Sequence, residues 1–364
     1  MIRPPEYVRE IQPYIPGKPV EELERELGIS GSIKLASNEN PTGPSPRALA
    51  AVKNSIADLN RYPDGSGYYL RKRLSEKLAV GEEELILGNG SNQLIDIAVR
   101  TFLKAGDNAV MAAPSFVVYS MAVQAVGGKP VRVPLKNHTH DLNAMADSIN
   151  PETRMIFIAN PNNPTGTIIR KDEFDGFMER VPDDLLVVLD EAYYEYVSDP
   201  DYASGIGRLR NGKNILVLRT FSKIYGLAGL RMGYGMAKEE IISEMHRIRD
   251  PFNTNTLAQK AAIEALNDEE HVRRSRALNE EGKKYLYREF SSINIKYVPT
   301  EANFIYISTK STSGVIYEKL LRKGIIVRPV GPNEIRVTIG LPEENRRLID
   351  ELRQLMLDGP VVSG

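Results

Sequence analysis

Between Pro46 and about Ala237 the chain alternates short apolar runs with stretches of helical periodicity, and few folds satisfy that rhythm. The runs lie at residues 85–87, 109–112, 155–159, 185–189, 215–218 and 233–236. Most are apolar at successive positions, as a strand is when both faces of its sheet are covered. Apolar residues recur with helical spacing over 70–78, 92–103, 117–126, 171–181 and 239–249. Strands alternating with helices predict an α/β unit of three layers, a mostly parallel sheet between two helical coats.

The rhythm changes after Pro251. Helices are expected over 256–267 and 269–290, then strands at 297–298 and 302–307. A helix over 313–323, strands at 325–328 and 335–339, and a helix over 342–357 complete a smaller α+β unit. We therefore expect an amino-terminal arm that is partly joined to the small domain (1–45, with one short helix at 20–27), a large domain (46–252), a small domain (253–358) and a frayed tail (359–364). Acidic and basic residues nearly cancel, at a formal net charge of -1, which disfavours nucleic acid or an anionic membrane as partner. With no cysteine, disulfide and thiolate chemistry are excluded. Neither a secretory leader nor a bilayer-spanning stretch is recognisable, so a cytoplasmic protein is expected.

In an open parallel sheet, ligands bind beyond the carboxyl ends of the strands, so those ends are where chemistry is sought. Residue 215–218 apolar sequence leads into Thr220-Phe221-Ser222-Lys223 and on to Arg231. Most lysines are solvated, but an enclosed amine forms an imine with an aldehyde, and a hydroxyl and a guanidinium can grip an attached phosphate. The run 85–87 opens into Gly88-Asn89-Gly90-Ser91-Asn92, a turn suited to an anion at a helix start, or simply to capping. It is not a dinucleotide fingerprint, because Gln93 replaces the third glycine. Phe116 follows the next strand and is placed either to stack on a flat ring or to pack in the core. Asn163 sits in a proline-fixed turn, where its amide can donate to a phenolate oxygen. Asp190 ends a buried strand and needs a partner such as a protonated pyridine nitrogen. A metal site built on Asp190 and Glu191 lacks further ligands, and His138 and His140 read as solvated loop residues.

Asn163-Pro164-Thr165-Gly166, Asp190-Glu191-Ala192-Tyr193 and Ser222-Lys223 through Arg231 resemble the fold type I aminotransferases that use pyridoxal phosphate. Ser37-Asn38-Glu39-Asn40-Pro41, Arg61-Tyr62-Pro63-Asp64-Gly65 and Gln12-Pro13-Tyr14 narrow the likeness to the histidinol-phosphate aminotransferase branch, over essentially the whole chain. The resemblance implies that Lys223 holds the cofactor covalently and shuttles a proton, with Asp190 at the ring nitrogen. It places Asn163 and Tyr193 at the phenolic oxygen and Phe116 against the ring. Gly90, Ser91, Asn92, Ser222 and Arg231 would bind the cofactor phosphate. Tyr62 would reach the site of a neighbouring subunit, so a homodimer is implied. Asn38 would lie on the substrate side. Arg336 resembles the anchor for the substrate carboxylate, and Arg328 with Tyr14 the contact to a substrate phosphate.

The reaction so implied exchanges an amino group between L-histidinol phosphate and 2-oxoglutarate, giving imidazole acetol phosphate and L-glutamate in histidine biosynthesis. An aromatic amino acid aminotransferase and a threonine-phosphate decarboxylase share similar motifs. A non-enzymatic ligand sensor is the alternative of another class, and it is disfavoured because Lys223, Asp190 and Arg231 are all retained. The charged cluster Arg273-Arg274-Ser275-Arg276 reads as a solvated helix face.

Overall fold

The computed structural model describes residues 2–209, 213–309 and 311–357, so the tail expected at 359–364 lies outside the described residues. A seven-stranded sheet forms the centre. Its spatial order is Leu85–Asn89, Met232–Met236, Ile215–Thr220, Leu186–Asp190, Thr153–Ala159, Asn108–Ala113, Lys129–Pro134. Met232–Met236 runs antiparallel to both neighbours, and the other strands run parallel. The α/β expectation holds.

Successive residues of the central strands feed two cores. Val187, Leu189, Ile215 and Val217 pack toward one face, with Leu74, Phe174 and Phe177. Leu186, Val188, Leu216 and Leu218 pack toward the other, with Leu94, Tyr119 and Ile242. Asp190 follows Leu186 and Val188 at a spacing of two, which puts it on the second face.

Some elements escaped the sequence reading. Lys129–Pro134 is an edge strand carrying Pro130 and Pro134, residues tolerated at edges that mask a strand signal. Helix Pro46–Ser55 starts with Ser45 accepting from the Ala48 N–H at 3.1 Å and proline in its first turn. Helix Leu142–Asp147 is similarly capped by Asp141. Helix Thr256–Asn267, placed beyond the boundary at 252, packs its alanines into the first core of the large sheet.

A four-stranded antiparallel sheet, in the order Arg328–Pro329, Glu334–Thr338, Phe304–Ser308, Lys296–Val298, packs with helices Glu269–Ser292, Ser313–Arg322 and Pro342–Leu357 around a third core. The expected strand 325–328 is split in two. Ile325–Ile326 pairs in parallel with Ile33–Lys34, and Arg328–Pro329 joins the four-stranded sheet. The amino-terminal segment is thereby tied to carboxy-terminal elements. No helix of the described residues is long and apolar enough to cross a membrane.

Candidate active site

The carboxyl ends of the parallel strands open onto a cavity of about 220 Å³. Lys223 enters it from the turn after Ile215–Thr220, and its Nζ donates to the Ser37 carbonyl at 3.2 Å. Burial pushes the amine down to about 8, and the nearby Arg336 charge acts in the same direction. An amine so placed is neutral, and therefore nucleophilic, far more often than a solvated lysine.

Asp190 ends its strand on the same wall. The Tyr119 hydroxyl donates to its Oδ2 at 2.7 Å and the Ala192 N–H to its Oδ1 at 3.1 Å. Burial nevertheless raises the carboxyl to about 6, outweighing both donors. Glu191 faces the other way. It pairs with buried Arg219 at 2.7 Å and accepts from the Gly205 N–H. The two carboxylates therefore diverge, and among the described residues no cluster of side chains suits a metal.

An anion cradle sits at the start of helix Ser91–Phe102. Ser91, Asn92, Ser222 and Arg231 line the cavity there, with Arg231 Nη1 donating to Ser222 Oγ at 3.4 Å. Gly90 lies beneath Arg231 with φ of +74°, and a Cβ at this position would lie 2.7 Å from Nη2. The left-handed backbone favours glycine here, and a side chain would in addition push the Arg231 guanidinium aside.

The remaining candidates divide by contact. Phe116 lines the cavity and meets Tyr119 edge-on at 5.5 Å. The Tyr193 hydroxyl accepts from Asn38 Nδ2 at 2.8 Å. Asn163, expected at a phenolic oxygen, accepts from Arg336 Nη1 at 2.6 Å through its Oδ1. Arg336 also donates from Nη2 to the Ala36 carbonyl at 2.5 Å, while its Nε is buried without a partner. Arg328 donates to the Ile15 carbonyl at 2.8 Å and lies 5.3 Å from the Tyr14 ring. Tyr62 is apart from the cavity, 81% exposed and stacked on Phe252 at 4.7 Å.

Two features were missed in the sequence. Tyr119 is three residues beyond Phe116 on helix Val117–Ala125, so helical spacing alone pointed to it. The backbone carbonyls of Ala36 and Ser37 that receive Arg336 and Lys223 gave no sequence signal. The solvated reading of the histidines needs correction. His138 is exposed, but His140 is buried beneath the sheet end, with Nε2 2.9 Å from the Ala159 carbonyl, and desolvation lowers it to about 4. Arg273, Arg274 and Arg276 are exposed as expected, but Ser275 is buried, where its Oγ accepts from Asn40 Nδ2 at 3.0 Å, and Arg276 Nε donates to the Glu195 carbonyl at 2.7 Å, so the solvated reading of that helix face holds only in part.

The donor set fits pyridoxal phosphate. It offers an anion cradle, a flat aromatic, a primary amine, and a buried carboxylate whose raised affinity for protons asks for a protonated partner. The family model "Aminotransferase class I and II" matches residues 30–352. The chain belongs to the class I and II aminotransferases. Among its relatives, the histidinol-phosphate aminotransferase of Moorella thermoacetica is 49% identical over 96% of this chain and 92% of the relative. That of Caldicellulosiruptor saccharolyticus is 46% identical over 96% of this chain and 99% of the relative. The crystal structure of histidinol-phosphate aminotransferase from Sinorhizobium meliloti in complex with pyridoxal-5'-phosphate superposes with a TM-score of 0.91, at 26% identity and 98% coverage of both chains.

Proposed function

We propose that this protein is a pyridoxal-phosphate-dependent transaminase acting on L-histidinol phosphate in histidine biosynthesis, with 2-oxoglutarate as the amino acceptor. The observation that carries the reading is the convergence of Lys223, Asp190 and Arg231 on one cavity, in a chain 44–49% identical to histidinol-phosphate aminotransferases. When bound, the cofactor supplies an aldehyde for the donor amine and a ring that accepts the electron pair left at the donor carbon.

The chain's own residues then have distinct tasks. Lys223 Nζ anchors the aldehyde between turnovers and, once freed by the donor, moves the proton at the donor carbon. Asp190 holds a proton at the ring nitrogen, favoured by its buried, donor-flanked carboxylate. Asn163 and Tyr193 orient the phenolic oxygen, and Phe116 supports the ring face. The cradle of Gly90, Ser91, Asn92, Ser222 and Arg231 binds the phosphate. Arg336, with its buried unpaired Nε, takes a carboxylate in fork geometry, as 2-oxoglutarate requires. Arg328 with Tyr14 faces a substrate phosphate, and Asn38 sets the Tyr193 hydroxyl.

Tyr62 is exposed and does not line its own cavity, which suits service to a second subunit in a homodimer. We further infer a large unit that begins at residue 46 and takes in helix Thr256–Asn267, a small unit formed by the elements after that helix, and a cytoplasmic setting for the biosynthetic role. Initial rates on histidinol phosphate, phenylalanine and threonine phosphate, each with and without 2-oxoglutarate, test the assignment. The expected result is a clear preference for histidinol phosphate and dependence on the acceptor. Faster turnover of phenylalanine, or carbon dioxide release from threonine phosphate without an acceptor, would overturn it.

A further inference from the structure

Tyr119 is engaged on every side. Its ring stacks on Phe157 at 4.8 Å with 13° between planes, and meets Phe116 edge-on at 5.5 Å. Its hydroxyl donates to Asp190 Oδ2 at 2.7 Å. Tyrosine and aspartate are both buried, and both line the cavity. Phe116 and Tyr119 are three residues apart, at the start of helix Val117–Ala125. One helical turn therefore sets the aromatic wall of the cavity and the donor to its acid.

We propose that Tyr119 is a positioning residue, whose hydroxyl holds the Asp190 carboxylate ionised and aimed at the pyridine nitrogen of the cofactor. The inference rests on the pyridoxal phosphate reading and assigns a residue that reading does not use. The Ala192 N–H occupies Oδ1, so the Tyr119 hydroxyl fixes the carboxylate's second oxygen and with it the rotation of the group. Donation to a carboxylate favours its charged form, against the desolvation that acts the other way. The hydroxyl is also a durable donor, since burial and the Asp190 charge hold its own ionisation well above the usual range. A hydroxyl that never ionises here cannot compete for the ring proton.

Tyr119→Phe removes the hydroxyl and keeps the ring between Phe157 and Phe116. Apo wild type and apo variant are titrated with pyridoxal phosphate and with the analogue whose ring nitrogen is replaced by C–H. Visible absorbance gives both dissociation constants. The variant should bind pyridoxal phosphate about 10- to 100-fold more weakly, the range expected for losing a hydrogen bond to a charged group. It should bind the carbon analogue as wild type does, because that ring offers Asp190 nothing to hold. Equal loss for both ligands would make Tyr119 merely structural, and no loss for either would remove its role. A wild type that binds neither ligand would instead sink the cofactor assignment itself.

Discussion

Asn163 and Arg336 are joined by a 2.6 Å hydrogen bond between the large sheet's turn and a strand of the four-stranded sheet. Each carries a different expected task, one at the cofactor and one at the substrate. In this structure Asn163 takes Nη1 and the Ala36 carbonyl takes Nη2, while Nε keeps an unused N–H for a substrate carboxylate. Arg336→Lys keeps the charge but loses the fork. KM for 2-oxoglutarate should rise about 10-fold or more, the scale of a lost charge-assisted hydrogen bond, with a smaller change in kcat. Steady-state kinetics on the acceptor decide it, and an unchanged KM would remove Arg336 from the carboxylate site.

Lys223→Ala should fold, with a melting temperature close to wild type, because the amine makes only one hydrogen bond, to a carbonyl, beside a distant contact with the Tyr193 ring. Borohydride treatment followed by mass measurement should find no cofactor attached to the variant. Turnover should drop by about 10²–10⁴-fold or more, the range for loss of a positioned proton carrier. Activity at the wild-type level would refute the assignment of this lysine.

Asp190 and Glu195 each contribute an inverted pH response. Burial raises them to about 6 and about 7, from ordinary values of 3.8 and 4.5. Between those limits these two carboxyls hold more protons in the folded than in the unfolded chain, so their own contribution to stability falls as pH rises. His140 and His246, lowered from 6.5 to about 4, oppose them over much of the same window. Lys223 likewise acts against the carboxyls' trend, above that window. Its lowered value, about 8 against 10.5, means that the folded form binds fewer protons there, so its contribution improves as pH rises from 8 to 10.5. Melting curves from about pH 4 to about pH 8 on wild type and Asp190→Asn isolate the aspartate part. Relative to wild type, the variant should gain stability as pH rises through the window, and parallel profiles would contradict the buried-acid account.

The proposed homodimer, in which exposed Tyr62 serves the neighbouring site, predicts complementation between subunits. Lys223→Ala and Tyr62→Ala homodimers should each be impaired. Dissociated and reassembled together, they should recover about a quarter of wild-type activity, since half of the random dimers carry one intact site of two. No recovery despite exchange, shown by mass labelling, would mean that Tyr62 serves no neighbouring site.

Gly226 offers a stability test. Its φ is +67°, and a Cβ there would lie 2.2 Å from the Gly43 carbonyl oxygen, a backbone atom with little room to yield. Gly226→Ala should cost at least about 1–3 kcal/mol from the left-handed backbone alone. Denaturant titration measures it, and a loss under about 0.5 kcal/mol, the scale of an ordinary surface change, would show that the loop shifts freely.

The readable parts of this protein are those where chemistry and periodicity coincide. Lys223, Asp190 and Asn163 each follow an apolar run, so the rule for parallel sheets points to them from sequence alone. Helices 20–27, 256–267 and 342–357 have the bounds that their spacing predicts. What stayed hidden depends on contacts between distant segments. Tyr119 reaches Asp190 across 71 residues, and Asn38 reaches Tyr193 across 155. The carbonyls of Ala36 and Ser37 carry no side-chain signature at all. The burial of His140 is invisible in the sequence because its neighbours Lys136, Asn137 and His138 are exposed and polar, and nothing local shows that the chain turns under the sheet.

The short parallel pairing of Ile33–Lys34 with Ile325–Ile326 has a consequence for how the protein is made. The segment that presents the Ser37 carbonyl to Lys223 cannot acquire its partner strand until nearly the whole chain has left the ribosome. Closing so long a loop is entropically costly and comes late. Capture of the vitamin should accordingly be among the last events of biogenesis. Ribosome-tethered chains stalled before Ile325 should form the large sheet yet release pyridoxal phosphate on washing, whereas chains stalled well past Leu352 should retain it.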